Sequence, residues 1–185
     1  AGLTQLGQVY NPAISAVLNA DRDLYQAKEA ELKALLHFGD GKHAQYYQDY
    51  EENAQQAYDR MHIYKDLMAQ YPQAQQQIAQ FEAAFSLWKL ASKQVFDALN
   101  NNDLDNATRL SLEQSSLSFK QLRSFYNQAG EIADEISANT SLHTTQSVDR
   151  SLVWITVISA LVVLFTFLMG IIAPKTMADA LKDLS

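Results

Sequence analysis

Leu152–Ala173 constrains this chain more than any other segment: it is 22 residues without a charge, inside a stretch from Ser151 to Pro174 that also lacks one. About 20 helical residues cross a hydrocarbon core of roughly 30 Å, so the run is long enough to span a bilayer. Trp154 stands near one interface, Asp149 and Arg150 bound the run on that side, and Lys175 closes it on the other. Lys175 and Lys182 against Arg150 place the C-terminal side in the cytoplasm by the positive-inside rule. A run this close to the C-terminus is not a signal peptide. Because the chain opens on Ala1 rather than Met, it reads as a processed protein or an excised piece, with another membrane helix expected ahead of it.

The residues before that run hold few helix breakers. The chain has 6 Gly and 3 Pro, with no Gly between Lys42 and Ala129. Together with abundant Ala, Gln and Leu, this predicts an all-helical fold with few turns. Three clusters punctuate it: Gly39-Asp40-Gly41, Tyr71-Pro72 and Asn100-Asn101-Asn102-Asp103. The first helix runs to His37 from near Leu3, or from Pro12 capped by Asn11, with Pro12 as a kink in the longer version. The second covers His43 to Gln70 and the third Gln73 to Leu99. The fourth starts at Asp103 and need not stop before the membrane, weakened only at Gly130.

Apolar spacing fits this division. The third helix carries Ile78, Phe81, Phe85, Trp88, Val95 and Leu99 three and four apart, interrupted by Ser92. The second repeats the pattern with Tyr50, Ala54, Ala57, Met61, Tyr64, Met68 and Tyr71, and the fourth with Leu122, Phe125, Ala129, Ile132 and Ile136. Such seams pack as an antiparallel four-helix bundle, whose last helix would continue into the membrane helix. The expected organisation is an extracytoplasmic sensor over residues 1–150, a transmembrane helix over 151–174 and a cytoplasmic linker over 175–185. Counting residues from each turn at equal rise brings His37 level with Asp103, and the Pro72 turn level with about Val9 and Glu131.

Several chemistries are excluded. A net charge of -7 and a pI near 5.0 argue against nucleic acid as a partner. Without cysteine there is no thiol nucleophile, thiolate metal site or disulfide. The histidines, His37, His43, His62 and His143, form no i, i+4 pair, and no Glu-x-x-His spacing exists for a di-iron site. Met61-His62 reads as core packing rather than haem ligation. No Gly-rich phosphate loop or nucleophile elbow occurs, so we read no enzyme and no cofactor.

What remains is a polar interruption. The first helix's apolar series Ile14, Leu18, Tyr25, Leu32, Leu35 passes through Asp21, within Asn19-Ala20-Asp21-Arg22-Asp23-Leu24-Tyr25-Gln26-Ala27. A polar residue buried unpaired on a seam is costly. The level count gathers Arg22, Arg60, Lys120 and Arg123 there with several aromatics. Guanidinium groups beside aromatic faces suit a small carboxylate held bidentately: Arg22 with Arg60 or Arg123 as the clamp, Asp21 and Tyr25 orienting them. Ordinary surface ion pairs among Asp21, Arg22 and Asp23 are the alternative reading. Tyr46 or Tyr47 is a candidate for a dimer face.

This order of parts resembles a bacterial methyl-accepting chemotaxis receptor. The run from Asn19 to Ala27 looks like a first-helix motif of such sensor domains. Ala173-Pro174-Lys175-Thr176-Met177-Ala178-Asp179-Ala180-Leu181 is similar to the opening of a HAMP signalling module, although Pro-Lys stands where such openings usually read Pro-Leu. The resemblance implies a homodimer in the inner membrane, with the sensor in the periplasm reading a small solute or a periplasmic binding protein. Its last helix would signal to HAMP and, through a further cytoplasmic region, to a histidine kinase and its coupling protein. A sensor histidine kinase shares every part present. A membrane-tethered helical adaptor without a small-molecule ligand is the alternative from another class.

Overall fold

Helix begins and ends largely where the sequence is punctuated. The computed structural model describes residues 2–182, with side chains described over 4–167 and at 169 and 170. A helical turn Gly2–Gln5 leads through a π-helical turn, π1 (Leu6–Tyr10), into α1 (Asn11–Leu36). There follow α2 (His43–Leu67), α3 (Pro72–Gln77), α4 (Phe81–Asn100), α5 (Leu104–Leu110), a second π turn, π2 (Ser111–Ser115), and α6 (Ser116–Lys182). No strand occurs among the described residues. Counting α3 with α4, and α5 through α6, as single interrupted rods gives four helical segments. The chain divides into two compact units, Ala1–Thr140 and Ser141–Ser185.

Each turn has a local cause. Gly39 and Gly41 adopt φ of 92° and 79°, where a side chain is disfavoured. Between them Asp40 accepts the Lys42 backbone N–H at 2.8 Å and the Tyr46 hydroxyl at 2.8 Å. The first of these holds the Asp40 carboxyl below the ordinary carboxylate value. Tyr46 is therefore occupied in the turn. Tyr71 is extended at φ -107°, ψ 97°, as a residue before proline must be. Asn102 takes φ 57°, and Asp103 caps the next helix by accepting the Asn106 N–H at 3.2 Å.

The sequence leaves the start of the first helix open, and the helix runs straight through Pro12. Asn11 is itself helical (φ -60°, ψ -45°) rather than a cap. Proline offers no N–H to the carbonyl four residues back and crowds it. The chain absorbs this in π1, where the Asn11 N–H reaches the Leu6 carbonyl instead. The third segment also departs from a single helix. A three-residue turn at 78–80, closed by Ala79 N–H to Gln76 and Phe81 N–H to Ile78, separates α3 from α4.

In the first unit the core seams of the second and third segments are those read from the spacing. Tyr50, Ala54, Ala57, Met61, Tyr64 and Met68 are buried, as are Ile78, Phe81, Phe85, Trp88, Ser92, Val95 and Leu99. On the fourth segment Leu122, Ala129 and Ile132 are buried with Tyr126, which takes the place expected of Phe125. The first helix is a correction. Leu18 is 66% exposed, Tyr25 46% and Leu32 39%, while the buried stripe is Ala13, Ala16, Val17, Ala20, Leu24, Ala27, Ala30 and Ala34. Small side chains let helix axes approach closely, so the alanine face enters the core and leaves Leu18 and Leu32 outside. Contacts between the first and fourth segments run in opposite order along the two. Tyr10 meets Thr140, Asp21 meets Arg123, and Glu31 meets Ser115 and Ser111.

In the second unit, α6 exposes the apolar run along its described length, Trp154, Val162 and Phe165 included. Among the described residues one helix is long and apolar enough to cross a membrane by length and composition. Within it the hydroxyls of Thr156 and Thr166 donate to the carbonyls of Leu152 and Val162 at 2.9 and 2.8 Å. Those polar groups are thereby satisfied inside the helix. The linker read at 175–185 lies outside the residues whose side chains are described.

Candidate functional site

On α1, Asp21, Tyr25 and Lys28 fall three and four residues apart and so share one face. On the N-terminal part of α6 the same rule groups Ser116, Phe119, Lys120, Arg123, Ser124 and Asn127. Tyr25, Lys28 and these six α6 residues line one cleft of about 440 Å³. Its Arg123 donates to Asp21, Nε to Oδ1 at 3.0 Å and the second nitrogen to Oδ2 at 3.4 Å. That hydrogen bond raises the guanidinium's already high pKa further. The guanidinium also lies over the Tyr25 ring, 4.8 Å from its centroid, and Tyr25 meets Phe119 edge to face at 5.3 Å. Lys120, exposed on the same wall, forms no ion pair among the described residues. The cleft thus combines an apolar aromatic wall, a neutralised guanidinium and an ammonium without a counter-charge.

A second polar group faces α2. Asp23 is fully buried and accepts from two arginines. Arg22 reaches Oδ1 through Nε at 3.0 Å and a terminal nitrogen at 2.7 Å, and Arg60 reaches Oδ2 through Nε at 2.6 Å. One carboxylate between two guanidinium groups leaves an excess positive charge, with Arg22 half-exposed at 54% of its side chain.

Next to the cleft lies a buried layer. Lys28 Nζ donates to Glu31 Oε1 at 2.7 Å and to Ser115 Oγ at 3.0 Å, and lies 3.4 Å from both the carbonyl and hydroxyl oxygens of Ser111. Ser111 Oγ donates to Glu31 Oε1 at 2.6 Å and Ser115 Oγ to Oε2 at 2.7 Å. Ser92, the residue that broke the third helix's apolar series, sits 3.2 Å from Ser115. Both charges are paired and the carboxylate's two oxygens are both used, which is what a buried ion pair requires. Beside this layer, burial drives the Tyr50 hydroxyl far above its ordinary pKa.

The five residues singled out by sequence therefore fall into two groups. Asp21, Tyr25 and Arg123 meet on the α6 side of α1, while Arg22 and Arg60 meet on Asp23 on its α2 side. Asp21 pairs with Arg123 while its neighbour Arg22 turns to Asp23, so the two adjacent residues fall in different groups. Sequence reasoning passed over Lys28, Glu31, Ser111 and Ser115. The available signal was a charged pair interleaved with Ala27, Ala30 and Ala34, which places it on the alanine face. Among the described residues no three His, Asp or Glu side chains group as metal ligands. His62 instead lies 3.0 Å from Glu82, and His43 packs on Phe96. Compared with protein-family models, with curated proteins and with solved structures, the chain matches none.

Proposed function

We propose that this chain is the sensing and membrane-spanning part of a chemoreceptor that reads a small carboxylate outside the cytoplasm. Its four helical segments would form an antiparallel bundle, and the uncharged run of α6 would cross the inner membrane toward a HAMP module and a kinase-control region. The reversed order of contacts between first and fourth segments supports the bundle. The observation that carries the function is the cleft: a free ammonium beside an aromatic wall, lined by residues of the same helix that bears the apolar run. A homodimer fits the exposed Leu18, Tyr25 and Leu32, which recur every seven residues on α1.

The test of the ligand is calorimetric titration of the full chain in lipid nanodiscs with succinate and benzoate. Lys120→Gln is expected to weaken binding by about 1.5–3 kcal/mol, the loss of one hydrogen bond to a charged group. Arg123→Ala should weaken it too, because Asp21 is then left without its partner and repels the carboxylate. If Arg22→Ala weakens binding while both cleft variants leave it intact, the ligand sits on the Asp23 group. If neither carboxylate binds, the membrane-tethered adaptor reading gains.

The topology has its own test. A single cysteine at Gln48 should react with a membrane-impermeant thiol reagent in intact cells, and one at Lys182 should not. The opposite pattern would overturn the proposed orientation.

A further inference from the structure

We propose that the cleft is wired to the π turn π2: an anion seated in it draws Lys28 and Ser116 away from Ser111 and so loosens that turn. The inference rests on reading the cleft as a carboxylate site. Lys28 and Ser116 are the two residues that both line the cleft and hold π2. Ser116 closes the turn twice on one atom, since its backbone N–H, shared with the Glu113 carbonyl, and its hydroxyl, at 2.9 Å, both go to the Ser111 carbonyl. Lys28 approaches the same carbonyl from α1.

The contacts that yield first are those with the fewest protons to hold them. An ammonium has three protons, and Lys28 already faces four acceptors: Glu31 Oε1, Ser115 Oγ, Ser111 O and Ser111 Oγ. It has no proton to spare for a newcomer. The two contacts at 3.4 Å, both on Ser111, are the longest and the weakest to displace. The Ser116 hydroxyl has a single proton, so turning it to a carboxylate removes its bond to Ser111. Both changes converge on the Ser111 carbonyl and take two donors from it. A π turn carries one residue more than an α-helical turn, and in π2 the Ser116 hydroxyl and Lys28 both hold the Ser111 carbonyl. Releasing it lets the extra residue migrate, which resets the following helix by about 1.5 Å and 100°.

The experiment is hydrogen–deuterium exchange on the full chain in nanodiscs, with and without succinate or benzoate, alongside calorimetric binding. With a carboxylate bound, amides of 111–116 should exchange about tenfold faster while the α4 amides stay protected. Ser116→Ala should raise exchange at the same amides without any carboxylate and lower affinity severalfold. If a carboxylate binds, and binding is lost in Lys120→Gln, yet exchange at 111–116 is unchanged, the coupling is wrong and the carboxylate reading stands. If neither carboxylate binds, the cleft reading fails and the coupling with it.

Discussion

Glu31→Gln should destabilise the full chain by about 3–5 kcal/mol, because it leaves the Lys28 ammonium buried without a counter-charge. The amide keeps the shape of the carboxylate and its oxygen can still accept from Lys28 and Ser111, but its NH2 cannot accept from the Ser115 hydroxyl, so the loss is the charge together with that one hydrogen bond. Glu31 is fully buried and the Lys28 side chain only 9% exposed, so water from the cleft replaces the missing partner poorly. Removing both charges is a different experiment. Lys28→Met with Glu31→Leu fills the same space with apolar atoms, and such replacements of buried pairs are often neutral or stabilising by about 1–4 kcal/mol. Ser111 and Ser115 then lose their acceptor, which offsets part of that gain. Urea unfolding followed by far-ultraviolet circular dichroism in detergent distinguishes the cases. A single variant as stable as the parent would mean that the layer is hydrated, and a double variant as weak as the single would mean that its hydroxyl bonds matter more than its charges.

The parts legible in the sequence were those where one physical effect dominates. Glycine at 39 and 41 and proline at 72 fixed the turns, since positive φ and a missing N–H leave few alternatives. Large apolar residues on α2 and α4 gave their buried faces because each has one such stripe. The first helix has two, an alanine stripe and a leucine stripe, and per-residue apolarity favours the wrong one. What selects the alanine face is the close approach of a neighbouring helix, a tertiary property that spacing does not report. The same choice of stripe hides the polar layer, since Lys28 and Glu31 stand among the alanines. Asp21, Tyr25 and Arg123 were found together because their positions follow from helical periodicity on two helices at matched levels. Arg22 was misplaced onto that face because the level count resolves height along a helix and not angle about it. Neither π turn could be read, as each inserts one residue without any compositional mark; Pro12 explains the first only in retrospect.

Trp88→Ala tests whether core and cleft are one structure. Trp88 is fully buried on α4 and meets the rings of Tyr50 at 5.5 Å, Phe85 at 5.8 Å and Phe119 at 6.3 Å. Its removal should cost about 3–5 kcal/mol, the loss of a buried aromatic plus the cavity it leaves. Its indole N–H meets no acceptor among the described residues, so Trp88→Phe gives up no hydrogen bond there and should cost less, roughly 1–2 kcal/mol. The functional consequence runs through Phe119, which stands between Trp88 and Tyr25 and forms the cleft's apolar wall. With the indole gone, Phe119 can turn inward, so Trp88→Ala should lower carboxylate affinity as well as stability, whereas Lys120→Gln should lower affinity alone. Thermal unfolding and calorimetric titration on the same nanodisc samples separate the two. Unchanged affinity in a clearly destabilised Trp88→Ala chain would show that the wall is set by α1 and α6 themselves and owes nothing to the core behind it.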